Sequence, residues 1–67
     1  MPSLQYIIFV RIQRASRLLL ETDLSLIVVA ERIGYQSEAA FSQAFKKQFG
    51  VRPGEFRRDH AQIRVEA

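Results

Sequence analysis

The strongest local constraint in this sequence is the stretch of residues 34–47, which begins with a glycine and then contains no glycine or proline. Gly34 can adopt the left-handed backbone conformation that ends a helix. Ser37 is suited to cap the next helix, and Glu38 falls in its first turn, where the helix dipole favours negative charge. The stretch therefore predicts a tight turn between two helices, the second of them over about residues 37–49.

The helix predicted after this turn has two different sides. At about 100° per residue, the side chains that share the first side, a predicted core face, are Phe41, Ala44, Phe45 and Gln48. The other side is small, polar and then cationic: Ala39, Ser42, Gln43, Lys46 and Lys47. An outer face without bulky residues fits a DNA major groove, but an ordinary amphipathic helix with one solvated side has the same pattern. This helix alone favours the ordinary alternative, so the flanking segments must decide.

The composition limits the chain to one small domain. Its 67 residues allow one modest core, and the absence of cysteine excludes a disulfide and a thiolate metal site. The formal net charge of +3 permits nucleic-acid binding without requiring it. The distribution of charge is more informative, because positions 46–58 carry one acidic residue, Glu55, among five basic ones. These are Lys46, Lys47, Arg52, Arg57 and Arg58.

Catalysis, metal binding and membrane insertion find no support in the sequence. The single histidine, His60, lies in a charged context that suits a surface residue, and there is no glycine-rich phosphate loop. No apolar run approaches the roughly 20 residues needed to span a membrane, and the first residues do not form a signal-peptide pattern. We therefore expect a cytoplasmic protein that is not an enzyme, with no metal, no cofactor and no small-molecule ligand in this chain.

The first predicted helix follows Ser3 and continues without glycine or proline to Thr22. Its main apolar stripe, at helical spacing, is Leu4, Ile7, Ile8, Ile12, Ala15, Leu18 and Leu19. Arg11 falls within this stripe, so its charge needs a route to water or a partner, for which Glu31 and Asp23 are candidates. A second apolar group on the opposite half of the helix, predicted to form an interaction face, is Tyr6, Phe9, Val10 and Leu20.

Two shorter helices complete the predicted fold. Ser25 is suited to cap a helix that ends at Gly34, and the small Ala30 lets the following helix cross closely, as a helix-turn-helix requires. After the stop at Gly50, Pro53 suits the first turn of a short helix to about residue 59. The sequence predicts an all-α fold, a tri-helical helix-turn-helix module with a long first helix and a short fourth helix. The domain is predicted to span residues 1–59, and residues 60–67 to form a frayed tail.

A longer motif connects these elements. The pattern Gly-Tyr-x-Ser-x-x-x-Phe-x-x-x-Phe-Lys-x-x-Phe-Gly-x-x-Pro-x-x-Phe-Arg begins at Gly34, and Asp23-Leu24-Ser25 precedes it. Together with Tyr6 and Arg11, this pattern resembles the second half of the DNA-binding domain of the AraC/XylS family of bacterial transcription regulators. The resemblance covers about residues 2–58. It implies that the whole domain has two helix-turn-helix units joined by a linker helix, and that this chain carries the linker helix and the second unit.

The resemblance implies sequence-specific DNA binding, with a recognition helix at about residues 37–49 in the major groove. The candidate base contacts are Glu38, Ala39, Ser42 and Gln43. Gln43 can pair with adenine and Ala39 can touch a thymine methyl, whereas Glu38 suits the helix dipole better than a cytosine. The candidate phosphate contacts are Ser37, Lys46, Lys47, Arg57 and Arg58. For the two arginines, a solvated basic helix end is an equally good interpretation.

Three residues depart from the family pattern. Val28, beside Ile27, replaces an acidic or polar residue, and Phe9 replaces a polar or basic one, so both add apolar surface. Gln43 stands where many members carry an arginine, which removes a phosphate or guanine contact. The alternative function is therefore a protein-interaction or dimerisation module with weak or lost DNA binding. The expected partners are double-stranded DNA and, at the predicted interaction face, a missing first helix-turn-helix unit or a second copy of the chain.

Overall fold

The computed structural model of the chain describes residues 1–65, with side chains through Ala61, and contains four α-helices and no strand within that range. The helices are α1 (Leu4–Glu21), α2 (Leu26–Arg32), α3 (Glu38–Phe49) and α4 (Pro53–Val65). The predicted all-α helix-turn-helix architecture, with its long first helix, is confirmed. None of the helices between residues 4 and 65 is both long and apolar enough to cross a membrane.

Serine caps begin the first three helices at the predicted positions, Ser3, Ser25 and Ser37. In each case the serine Oγ accepts a hydrogen bond from the backbone N–H three residues later, at 3.1, 3.3 and 3.1 Å respectively. Each cap satisfies one of the N–H groups that a helix start leaves without a partner. The sequence therefore places the beginning of each of these helices by local chemistry alone.

Gly34 ends α2 in the way that the sequence predicts. Its φ of +96° is left-handed, the Gly34 N–H donates to the Glu31 carbonyl at 3.1 Å, and the Tyr35 N–H donates to the Ala30 carbonyl at 2.9 Å. These two bonds form a Schellman motif, which satisfies the last carbonyls of α2. The motif also turns the chain sharply toward the start of α3.

One hydrophobic core lies between the four helices. Its buried apolar members are Ile12, Ala15, Leu19, Val29, Ala30, Ile33, Phe41, Phe45 and Phe56. Tyr35 is partly buried and packs against this core. Leu4, which the sequence assigns to the main apolar stripe of α1, is instead 72% exposed. The stripe has the correct helical spacing, but its first turn extends past the packed part of the fold.

The fourth helix is longer than the sequence predicts, because α4 continues beyond residue 59 to Val65. No glycine or proline follows Gly54, so no residue in this stretch stops the helix. The ring of His60 also stacks on Phe56 with 4.2 Å between centroids, and its Nδ1 lies 2.9 Å from the Phe56 carbonyl oxygen. Residues 60–65 therefore extend α4, and the last two residues of the predicted frayed tail lie outside the described part of the chain.

Candidate nucleic-acid interface

An aromatic cluster fixes the rotation of α3 about its own axis. Phe41 and Phe45 are fully buried. Phe49 stacks on Phe45 with ring centroids 4.6 Å apart, and Phe56 of α4 packs edge-on against Phe45 at 5.2 Å. Because bulky rings hold one side of α3 in the core, the opposite side must face outward.

The outward side of α3 carries the residues that the sequence predicts for DNA contact. Ala39, Gln43 and Lys46 are exposed, and their spacing of four and three residues places them on one strip of the helix surface. Ser42 is half-buried at one edge of this strip, and Lys47 is exposed at the other. The strip contains a methyl group, an amide and an ammonium group, with no side chain bulky enough to prevent close approach to a base edge.

A groove of about 390 Å³ flanks the strip on the side of α4. Ser42 and Glu38 line it from α3, and Arg58 lines it from α4. Arg52, which belongs to the basic segment of positions 46–58 but is not among the predicted phosphate contacts, joins them from the loop before Pro53. The sequence signal for Arg52 is its place in that basic segment. This groove thus brings two predicted base contacts together with two exposed arginines.

A second groove, of about 570 Å³, flanks α3 on the side of α1. Ile8 and Phe9 line it from α1, and Gln43 and Lys47 line it from α3. The Gln48 Nε2 donates a hydrogen bond to the Phe9 carbonyl at 3.3 Å, which connects the two helices. The N-terminal half of α1 therefore borders the same strip of α3 that carries the candidate DNA contacts.

The basic residues around α3 form no ion pair shorter than 4.0 Å among the described residues, although the carboxylates of Glu38 and Glu55 line the groove that contains Arg52 and Arg58. Within the part of the chain that the structure describes, the one ion pair shorter than 4.0 Å is Arg17 Nε to Glu21 Oε2, at 3.7 Å on α1. Lys46 and Lys47 are in the last turn of α3, where a cation is favourable to the helix dipole. Glu38 is in the first turn of α3, at the end where the dipole favours negative charge, as the sequence predicts.

Arg57, predicted as a phosphate contact, has a different environment. It is half-buried, its Nε donates to the Leu19 carbonyl at 3.1 Å, and its Nη2 donates to the Thr22 carbonyl at 3.2 Å. Both carbonyls belong to the C-terminal end of α1, so the guanidinium faces the protein. Two of the Arg57 donors are thus engaged within the protein, and its phosphate contact stays a prediction. Its neighbour Arg58 is exposed, as a phosphate contact requires.

The predicted interaction face on α1 is only partly open. Tyr6 and Phe9 are 57% and 48% exposed, respectively. Val10 is half-buried, and Leu20 is half-buried and packs against the core. Leu20 therefore does not belong to the open surface, because the chain itself provides its cover. Ile27 on α2, which the sequence flags as extra apolar surface, is 56% exposed.

Arg11 is exposed to solvent and forms no ion pair with Glu31 or Asp23. Neither carboxylate lies within 4.0 Å of its side chain. The guanidinium lies over the turn between α2 and α3, where a Cβ built on Gly34 would be 3.5 Å from Arg11 Nη1. Arg11 thus borders the turn, although the sequence places it within the main apolar stripe.

The comparisons with known proteins agree with this geometry. A family model described as a helix-turn-helix domain matches residues 1–59. The transcriptional regulator MtrA of Neisseria gonorrhoeae is 42% identical over 53 residues, which is 79% of this chain and 18% of the regulator. A putative AraC-like transcription regulator of Streptomyces lividans is 42% identical over 55 residues, 82% of this chain and 18% of that protein. The chain thus spans about a fifth of the length of each of these curated relatives.

A solved structure matches the complete chain. The crystal structure of the DNA-binding domain of AdpA, a global transcriptional factor, in complex with a target DNA superposes with a TM-score of 0.91 at 33% sequence identity. The match covers 100% of this chain and 60% of that one. The chain therefore belongs to the AraC-type helix-turn-helix family of transcriptional regulators, and it corresponds to the C-terminal helix-turn-helix unit of that family's DNA-binding domain.

Proposed function

We propose that this chain is a sequence-specific DNA-binding module of a bacterial transcription regulator, with α3 as the recognition helix in the major groove. The observation that carries the proposal is the exposed strip of Ala39, Gln43 and Lys46, which the buried phenylalanines hold outward. The AdpA domain, which has the same fold, was crystallised with its target DNA. A regulator of this class acts on the bacterial chromosome, so the proposed location of the module is the cytoplasm. Its proposed role is binding and not catalysis.

The side chains of α3 contact the bases in this proposal. The Gln43 amide can donate to N7 and accept from N6 of adenine through its two ends, and the Ala39 methyl can contact a thymine methyl. Ser42 lies at the edge of the strip, where its hydroxyl can reach a base or a phosphate. Glu38 serves the helix dipole first, and it also lies close enough to the strip to accept from a cytosine amino group.

Backbone phosphates are held on both sides of this strip. The lysines of the last turn and the hydroxyl of the N-cap supply contacts from α3, and Arg58 and Arg52 supply them from the groove beside α4. The proposed phosphate contacts are Ser37, Lys46, Lys47, Arg52 and Arg58. Such contacts position the protein on the duplex without selecting a sequence.

The exposed side of α1 at Tyr6, Phe9 and Val10 is a docking surface for a second unit. Contiguous exposed apolar surface usually marks an interaction site. The match covers 60% of the AdpA domain, so that domain contains a further segment that this chain does not match. The second unit is accordingly a first helix-turn-helix unit of the same regulator or, when that unit is absent, a second copy of the chain. Residues 1–59, the range that the family model matches, form the DNA-binding unit.

The test is duplex binding by the chain across a salt series, followed by selection from a random duplex pool. One recognition helix gives one short contact patch, so we expect weak affinity, about 10⁻⁴ to 10⁻⁶ M at physiological salt. Gln43→Ala should change the selected sequences, with a loss of about 1–3 kcal/mol of discrimination. Lys46→Ala should weaken binding to all sequences and reduce the salt slope by about one.

Arg17→Ala is the matched control, because it removes one exposed charge from α1 on a surface that contains no α3 residue. It should leave both the selected sequences and the salt slope unchanged. The proposal for Gln43 fails if Gln43→Ala and Lys46→Ala weaken every sequence equally. Absence of salt-dependent duplex binding by the unmodified chain would refute the proposed function as a whole.

A further inference from the structure

The C-terminal end of α1 has an unusual arrangement of hydrogen bonds. The Leu18 carbonyl accepts two of them, from the Thr22 backbone N–H at 3.0 Å and from the Thr22 hydroxyl at 2.7 Å. The last turn of α1 contains no basic residue. The carbonyls of Leu19 and Thr22 therefore need a donor from water or from elsewhere in the chain, because a helix cannot satisfy its own last carbonyls.

Arg57 of α4 is that donor. Its Nε and Nη2 reach the Leu19 and Thr22 carbonyls at 3.1 and 3.2 Å, across 38 and 35 positions of sequence. The guanidinium also places a positive charge at the negative end of the α1 dipole, where a cation is stabilising. Hydrogen bonds from an ionised donor are stronger than neutral ones, and the planar fork of arginine fixes their geometry.

The same turn of α4 is attached to the recognition helix on its other side. Phe56, adjacent to Arg57, packs against Phe45 at 5.2 Å and against Phe49 at 5.3 Å between ring centroids. One turn of α4 therefore contacts α1 through a guanidinium and α3 through an aromatic ring. A shift of α4 along α1 would change the position of α3 as well, because packed interiors transmit displacement.

We propose that Arg57 is a positioning residue that locks α4 to the end of α1 and, through Phe56, sets the position of the recognition helix. It does not contact DNA. Arg58, the next residue, lines the groove beside Ser42 and is the proposed phosphate contact. The assignment of Arg57 rests on the fold, and only its consequence for DNA binding rests on the proposed function.

The two adjacent arginines form a matched pair for the test, with Arg57→Met and Arg58→Met made in the 67-residue chain. Arg57→Met should lower the melting temperature by at least about 5 °C, since loss of the donor leaves two carbonyls unpaired in a domain of this size. Native-state amide exchange should accelerate most in the last turns of α1 and α3. The salt slope of duplex binding, measured below the melting temperature, should not change.

Arg58→Met should show the opposite behaviour, with an unchanged melting temperature and a salt slope reduced by about one. Arg57→Lys is the conservative variant, and it also serves if Arg57→Met does not fold. It keeps the charge at the end of α1 but cannot reproduce the planar fork. It should restore part of the melting temperature and part of the exchange protection in the last turn of α3.

Two results would overturn the assignment. A salt slope reduced by about one in Arg57→Met, at an unchanged melting temperature, would make Arg57 a phosphate contact. A lower melting temperature with exchange accelerated equally at all core amides would make Arg57 a general stabilising residue without a positioning role. If neither the unmodified chain nor Arg58→Met shows salt-dependent duplex binding, the proposed function fails, and the exchange pattern still decides the assignment of Arg57.

Discussion

The two halves of α1 differ in burial, and the half with more apolar residues is the less buried one. Residues 4–11 contain six apolar or aromatic side chains, and residues 12–21 contain five. Yet the buried residues of α1, Ile12, Ala15, Ser16 and Leu19, all belong to the second half. In the first half, Leu4, Tyr6 and Phe9 are exposed. Burial in this chain is therefore determined by where the other helices lie, and not by which segment is the more apolar.

The partner helices explain this difference. Leu19 meets the core that α2, α3 and α4 build around the second half, and its carbonyl accepts from Arg57. The first half borders α3 along the groove that contains Phe9, with the Gln48 hydrogen bond at its base. The first half is thus packed on the side that faces α3, and Leu4, Tyr6 and Phe9 remain exposed.

The largest expected effect compares leucines in the two halves. Leu19→Ala should lower the free energy of unfolding by about 2–5 kcal/mol, since it opens a cavity in the fully packed core. That loss is a large part of the stability of a domain of this size. Leu4→Ala should change it by less than about 0.5 kcal/mol, since the side chain is already exposed. Urea denaturation followed by circular dichroism measures both, and equal losses would contradict the difference between the halves.

An intermediate effect compares two serine caps of the same geometry. Ser37→Ala should cost about 1 kcal/mol of unfolding free energy, because the first turn of α3 must stay formed to hold Phe41 in the core. Ser3→Ala should cost clearly less, because the first turn of α1 can open without exposing buried residues. Thermal unfolding of both variants gives the comparison, and amide exchange at Tyr6 and Ala40 should report local opening at each cap. A larger loss for Ser3→Ala would mean that the first half of α1 is more firmly packed than its exposure indicates.

The smallest expected effect on folding is that of Phe9→Glu, which should change the free energy of unfolding by less than about 0.5 kcal/mol. Its effect should appear in self-association. We expect the unmodified chain to dimerise at high concentration through the first half of α1, and a charge at Phe9 should shift it toward monomer. Light scattering across a concentration series measures this shift, with circular dichroism as the folding check.

Ile27→Glu is the control for Phe9→Glu, because Ile27 is similarly exposed but lies on α2. It should leave the association unchanged. If both variants dissociate the dimer equally, the contact is a general apolar association and not a property of α1. An unmodified chain that stays monomeric at millimolar concentration would show that the first half of α1 tolerates water without a partner.

Local chemistry made much of this fold predictable from the sequence. A short sequence pattern is enough to predict the three serine caps, the left-handed Gly34 and the inward phenylalanines of α3. Each of these features depends on residues within four positions of one another. The family motif extended that local pattern to the function of α3. The exposed strip of Ala39, Gln43 and Lys46 follows directly from the helical period once Phe41 and Phe45 are placed in the core.

The sequence was least informative where the packing partner is distant along the chain. Arg57 and Arg58 are adjacent residues of the same type, and only the packing of α4 on α1 makes Arg57 a half-buried donor and leaves Arg58 exposed. Leu4 follows the apolar period of α1 correctly, but the period does not show where the covering helices end. Leu20 illustrates the converse, since the fold covers a side chain that the helical wheel places outside. The specific bases that α3 contacts depend on how it enters the groove, and the fold alone does not contain that geometry.

The hydrogen bonds between Arg57 and α1 connect the end of an early helix to a residue that is synthesised much later. During synthesis α1 emerges first, but the donor to its Leu19 carbonyl is added 38 residues later. A chain released shortly before Arg57 would contain a finished sequence for α1, α2 and α3 with the end of α1 still open. Of the four helices described, α1 is therefore synthesised first, but its C-terminal end gains its side-chain donor only when α4 has been made.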